Sequence, residues 1–137
     1  MKVLNVGGNN KDIGLPEIYN AWDQILLDID PSGKPDICCD AREMMQLESS
    51  VYDAIYCSHN LEHYFEHDAE YVLEGFLHVL KPQGFAHKNG FTTKSLKQIL
   101  LKAGFSQVAL KEENLEISAI AFKANPTSKQ LEAFGIT

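Results

Sequence analysis

The chain has 137 residues, of which 45% are apolar and 23% charged, and its net charge is −7, values that fit one globular domain of ordinary composition. An acidic chain is poorly suited to nucleic acid as its main partner. No apolar run approaches the length of a membrane span, and the first residues, MKVLNVGG, are unlike a signal peptide. The three cysteines, Cys38, Cys39 and Cys57, make a poor disulfide framework. We therefore expect a cytoplasmic protein without a membrane partner.

Four short apolar runs predict the first strands of a sheet. They are Lys2–Val6, Gln24–Asp28, Asp36–Cys39 and Tyr52–Ser58. The runs are continuous rather than alternating, which is typical of parallel strands that are covered on both faces. Pro16–Trp22 and Ala41–Leu47 predict short helices between these strands.

Two longer segments have helical periodicity, and a hairpin follows them. Asp68–Leu80 and Thr92–Ala103 carry apolar residues at the spacing of one helical face. Val108–Leu110 and Ile117–Phe122 predict an antiparallel hairpin, and the tail from Asn125 predicts a short helical end. Strands that alternate with helices indicate a single α/β domain over residues 1–137. We expect a mostly parallel sheet with helices on both faces and a C-terminal antiparallel hairpin.

Polar residues and glycines follow several of the predicted strands. Parallel sheets bind ligands beyond the carboxyl ends of their strands, which places residues 7–9, 28–30, 40–41 and 58–60 along one rim. The Asp28 carboxylate could accept hydrogen bonds from both hydroxyls of a ribose, and Asp30 could do the same or simply begin a turn. Asp40 could accept from an adenine amino group, cap the helix that begins at Ala41, or do both.

A cluster of histidines offers a different chemistry. His59, Glu62 and His63 match the H-x-x-E-H pattern of zinc hydrolases, in which two histidines bind the metal and the glutamate acts as base. The pattern comes directly after a strand rather than inside a long helix, and the candidates for a third ligand are ordinary helix acids. A zinc hydrolase is therefore a remote alternative.

Several segments together resemble one family, the class I S-adenosylmethionine-dependent methyltransferases of the small-molecule type. The segments are ILLDID, PDICCDA, YDAIYCSHNLEHY and VLEGFLHVLKPQGF, in the order and spacing of that family. The resemblance implies a Rossmann-like fold and S-adenosylmethionine as cofactor, with S-adenosylhomocysteine as product. The methyl acceptor would be a small molecule or a cell-surface precursor. The cofactor-binding residues that it implies are Asn5, Gly7, Gly8, Asn9, Asp28, Ile29, Asp40, Ala41, Ser58 and His59. Asn60 and His63 would face the substrate, His59 or His63 could be the general base, and no metal is implied.

The chain departs from the family pattern in two places. Asn5 stands where the family usually has an acidic residue, and Asn9 and Asn10 replace glycines. The sequence passes from Phe85 to a segment resembling the family's later region at His87, which indicates that the fifth strand is deleted or cut. Strand four would then lack a neighbour, so we expect a homodimer, in which exchanged C-terminal elements could cover the edge of that strand. These departures leave a second hypothesis open, a methyltransferase-fold binding module without catalysis, which could be a cofactor sensor or a protein-interaction domain.

Overall fold

A computed structural model describes residues 1–58, 66–90, 94–113 and 116–136 of the chain. In it, seven strands form one sheet in the order β3-β2-β1-β4-β5-β7-β6. The strands are β1 (Lys2–Val6), β2 (Asp23–Asp28), β3 (Ile37–Cys38), β4 (Tyr52–Ser58), β5 (Leu80–Gly90), β6 (Gln107–Glu113) and β7 (Glu116–Phe122). Pairs among the first five strands are parallel, whereas β7 is antiparallel to both β5 and β6. The predicted α/β fold with its C-terminal hairpin is confirmed.

Helices and short 3-10 turns cover both faces of the sheet. The helices are α1 (Glu66–Val79), α2 (Lys94–Ala103) and α3 (Ser128–Ala133), and 3-10 segments lie at Glu17–Tyr19, Pro31–Gly33 and Ala41–Gln46. One face packs Leu4 and Ile55 against α1 and α2. The other packs Val3 and Tyr56 against Tyr19 and Phe134. The alternation of residues 3 and 4 between two cores explains why the strands read as continuous apolar runs.

The expectation of a missing fifth strand is wrong. β5 pairs with β4 on one side, from Ala54↔Phe85 to Ser58↔Asn89, and with β7 on the other. Phe85 and His87 therefore belong to one continuous strand, and the reason for expecting a dimer, an uncovered β4, no longer holds. The segment was misread because it carries a buried histidine and a buried lysine, His87 and Lys88, where a central strand usually has apolar residues.

Other predicted elements differ in length. The helix predicted at Pro16–Trp22 is a single 3-10 turn at Glu17–Tyr19, and Asp36–Cys39 pairs only through Ile37 and Cys38. In the part of the chain that the structure describes, no helix is long and apolar enough to cross a membrane.

Candidate functional site

The loop after β1 turns towards β2 at once. Gly7 has a φ of 72°, and its backbone N–H donates to the carbonyl of Leu27 at 2.8 Å. Asn9 also lies in the left-handed region, with a φ of 73°. Asparagine tolerates this conformation better than most residues, so it takes a place that a third glycine could otherwise fill.

Asp28 joins two loops at the carboxyl end of β2. Its Oδ2 accepts from the backbone N–H of Asn9 and its Oδ1 from that of Asp30, each at 2.9 Å. The residue is 9% exposed. Because a carboxylate has about four lone-pair positions, each oxygen can still accept a hydrogen bond from a ligand. Asp28 is thus both a support for the rim and an available acceptor.

Asp30 is part of a turn, as one of its two interpretations predicted. Its side chain accepts from the backbone N–H of Ser32 at 2.9 Å and caps the 3-10 segment Pro31–Gly33. This backbone hydrogen bond lowers the pKa of the carboxyl from its ordinary value.

Asp40 caps the 3-10 segment Ala41–Gln46. Oδ1 accepts from the backbone N–H of Arg42 at 2.8 Å, and Oδ2 lies 2.7 Å from the Arg42 guanidinium. The hydrogen bond from the Arg42 side chain is the main reason that the pKa of Asp40 is lowered. Arg42 also approaches Asp68 at 3.7 Å. The capping role is therefore established, and it takes up much of the capacity of Asp40 to accept from a nucleobase.

Two cavities meet at Gly7 along this rim. The smaller, about 60 Å³, has Asp28, Asp40 and Ala41 in its wall. The larger, about 260 Å³, is bounded by Asn5, the loop after β1 and the end of β4. Together they contain eight described cofactor candidates: Asn5, Gly7, Gly8, Asn9, Asp28, Ile29, Asp40 and Ala41, with Ser58 as a ninth at the end of β4. The described residues of the rim predicted from the carboxyl ends of the strands thus line two neighbouring cavities.

Asn5 lies beneath the glycine loop and is 2% exposed. Its Nδ2 donates to Oε1 of Gln24 at 3.0 Å, but its buried Oδ1 has no hydrogen-bond partner among the described residues. A Cβ atom on Gly8 would overlap the Asn5 amide, so the loop backbone rests directly on it. An unsatisfied buried carbonyl costs about 1–3 kcal/mol, which makes this oxygen a place where a donor would be favourable.

Four of the predicted site residues lie outside the described part of the chain, and the two cavities also contain residues that the sequence did not predict. His59, Asn60, Glu62 and His63 lie outside the described residues, as does the H-x-x-E-H pattern. Within the described ranges, no group of three histidine, cysteine or acidic side chains could hold a metal. Cys39, Ile13, Leu15 and Tyr56 line the two cavities without having been predicted. For Tyr56 a signal existed, because it lies two positions before Ser58 and therefore on the same sheet face.

A family comparison agrees with this architecture. Residues 22–87 match the model of a methyltransferase domain, which is just under half of the chain. The match begins before β2 and ends within β5, so it contains Asp28 and Asp40 but not the glycine loop. No curated protein matches the chain significantly.

Solved structures with the same fold are mostly longer than this chain. The CMeT domain of the citrinin polyketide synthase superposes with a TM-score of 0.75 at 13% identity over 92% of this chain and 47% of its own. A SAM-dependent methyltransferase from Archaeoglobus fulgidus superposes with a TM-score of 0.69 at 17% identity, over 89% of this chain and 86% of its own. A third structure is the 1,6-didemethyltoxoflavin-N1-methyltransferase of Burkholderia thailandensis, solved with S-adenosylhomocysteine. It superposes with a TM-score of 0.68 at 14% identity, over 90% of this chain and 71% of its own. This chain spans only 61% and 51% of the length of two further matching chains.

Proposed function

We propose that this chain, which has the class I methyltransferase fold and a methyltransferase-domain segment at residues 22–87, binds S-adenosylmethionine at the rim cavities and transfers its methyl group to a small molecule. The observation that carries the proposal is the position of Asp28. It joins the loops after β1 and β2 through its two oxygens and faces the smaller cavity, where it can accept from a ribose.

The two cavities offer different groups to a long ligand with chemically distinct ends. The ribose would lie beside the Asp28 carboxylate in the smaller cavity, and the amino-acid end would lie beside Gly8 and Asn5 in the larger one. The unpartnered Oδ1 of Asn5 supports this orientation, because Asn5 belongs to the wall of the larger cavity and its oxygen lacks a donor such as the ligand's amino group.

The bound cofactor would supply an activated methyl group on a sulfonium. The protein then has to hold the acceptor close to that carbon and in line with the breaking bond, which is mainly a matter of positioning. We propose that Ser58 and His59 cover the cofactor, that Asn60 and His63 contact the acceptor, and that His59 or His63 accepts its proton. Support for these roles comes from Ser58, which ends β4 in the wall of the larger cavity, and from the position of the other three shortly after it in the sequence.

Calorimetric titration with S-adenosylmethionine and S-adenosylhomocysteine tests the binding step. We expect binding that Asp28→Ala weakens by about tenfold or more, because a charge-assisted hydrogen bond contributes about 1.5–3 kcal/mol. Asp23→Ala is the matched control, since Asp23 is exposed at the opposite end of the same strand. Full affinity in Asp28→Ala would refute the ribose assignment, and no binding at about millimolar ligand would refute the function.

A second candidate function is a cofactor-binding module without transfer. Its specific support is Asn5, which lacks the charge of the acidic residue that the family usually has there. The two functions predict the same titration but different products: only the enzyme converts S-adenosylmethionine to S-adenosylhomocysteine when small-molecule acceptors are added.

A further inference from the structure

An apolar groove lies at the opposite edge of the sheet from the rim. Its volume is about 390 Å³, larger than either rim cavity. Its lining includes the apolar side chains Ile18, Trp22, Phe85 and Phe134. Asp53, which begins β4 beside Tyr52, is at its mouth, so the groove opens near the amino ends of the strands. It is therefore separate from the proposed cofactor site.

Both walls of the groove are held in place by hydrogen bonds. On one side, the hydroxyl of Tyr19 is 2.9 Å from Nδ1 of His87, and the Tyr19 ring meets Trp22 edge-on at a centroid distance of 5.1 Å. On the other side, α3 begins with a capping box between Thr127 and Gln130, whose Nε2 also donates to the Gln83 carbonyl at 2.6 Å. A groove between two fixed walls is preformed, which lowers the cost of binding a ligand.

The mouth of the groove carries more positive than negative charge, in a protein whose net charge is −7. Lys81 and Lys129 lie there with a single carboxylate, Asp53. Asp53 accepts from the backbone N–H of Lys2 at 2.8 Å and is 3.4 Å from Nζ of Lys81. Lys129 is exposed, and no described acidic side chain pairs with it. An anion at the mouth would therefore be attracted by Lys129 in particular.

We propose that this groove is a second ligand site that binds a small molecule with an apolar body and one anionic head, of the medium-chain acyl carboxylate class. The volume is in the range of small-molecule sites, about 300–1,000 Å³. The aromatic walls match the apolar chain, and the lysines match the carboxylate.

Trp22 is the only tryptophan of the chain and lies in the wall, so its fluorescence reports on the groove. We expect octanoate to change its emission in a saturable way. Lys129→Glu should weaken the binding of octanoate about fivefold, because an exposed ion pair contributes about 1 kcal/mol. The same variant should bind 1-octanol, which has no charge, with unchanged affinity. Lys97→Glu makes the same charge change at an exposed position of α2, on the other face of the sheet, and should leave both ligands unchanged. Ala133→Phe, which fills the groove from α3, should abolish saturation by either ligand.

Three results would overturn the proposal. They are an emission that does not saturate with octanoate, equal weakening by Lys97→Glu and Lys129→Glu, and an affinity for octanoate that Ala133→Phe leaves intact. Sedimentation velocity provides the remaining arm: a dimer that Ala133→Phe dissociates would assign the groove to a second copy of this chain instead. A cooperative urea unfolding transition in Ala133→Phe, followed by circular dichroism, would show that the variant is folded.

Discussion

Gly33 and Asn9 are in direct backbone contact, since a Cβ atom on Gly33 would overlap the carbonyl oxygen of Asn9. The turn after β2 thus supports the loop after β1 from below. Asp28 bonds to both loops at the same point, through the N–H groups of Asn9 and Asp30. The glycine loop is therefore positioned by its neighbouring strand as much as by its own sequence.

Gly33→Ala should displace the loop and destabilise the protein by about 1–3 kcal/mol, because the added methyl group meets backbone that can move only together with Asp28. Urea unfolding measures the change. Gly14→Ala is the control, since a Cβ there meets nothing within 4 Å, and it should be nearly neutral. Equal stability of the two variants would show that the Gly33–Asn9 contact is not constrained.

Asn5→Asp should lower stability at neutral pH, by about 1–2 kcal/mol, because it buries a carboxylate that is surrounded by few donors. Burial raises the pKa of such a carboxyl above its unfolded value. The folded state then holds the proton more tightly, so the variant loses stability as pH rises above the unfolded pKa near 4. Unfolding at pH 4 and pH 7 measures this slope. Asn20→Asp, at an exposed position, should show no such slope.

Asp40→Ala should reduce cofactor affinity less than Asp28→Ala does. The reason is that both oxygens of Asp40 already accept from Arg42, whereas those of Asp28 accept one backbone N–H each. Titration of both variants with S-adenosylhomocysteine compares them. A larger loss in Asp40→Ala would mean that Arg42 releases the carboxylate to the nucleobase when the ligand binds.

Arg42 should also make stability sensitive to acid. The pKa of Asp40 is lowered from its ordinary value of 3.8, mainly by the hydrogen bond from the Arg42 side chain. The stabilisation is thus present above the unfolded pKa and is lost as pH falls through the folded pKa. Because Arg42 is half exposed, the contribution should stay below about 1 kcal/mol. Unfolding of Arg42→Ala between pH 2 and 5 should lack this slope.

The sequence predicted β1 and β4 with the bounds that the structure gives them. Their apolar runs end at glycine, serine or charged residues, so local pattern alone was sufficient. The rim followed from the same pattern, because parallel strands end at one edge of the sheet. Asp28 was correctly placed there by its position after an apolar run.

β5 could not be predicted in this way. Its segment contains Pro82, Gly84 and two buried polar residues, which is a poor strand by local preference. The strand forms because β4 and β7 pair with it on both sides, and because His87 finds a partner 68 residues away in Tyr19.

The pair of Tyr19 and His87 gives the last prediction. Burial, and to a smaller extent the charge of Lys111, lower the pKa of His87 to about 4. The unfolded chain therefore binds a proton more readily than the folded one, so stability is full above the unfolded pKa of about 6.5 and is lost as pH falls towards 4. Protonation of His87 should lower the free energy of unfolding by about 3 kcal/mol. The double variant Tyr19→Phe/His87→Phe should remove this pH dependence while keeping aromatic rings packed at both positions. His78→Gln is the matched control, since His78 lies on the other face with Nε2 at 2.7 Å from the Leu47 carbonyl. Unfolding curves that keep the same slope between pH 4.5 and 7 in the double variant would assign the slope to other groups.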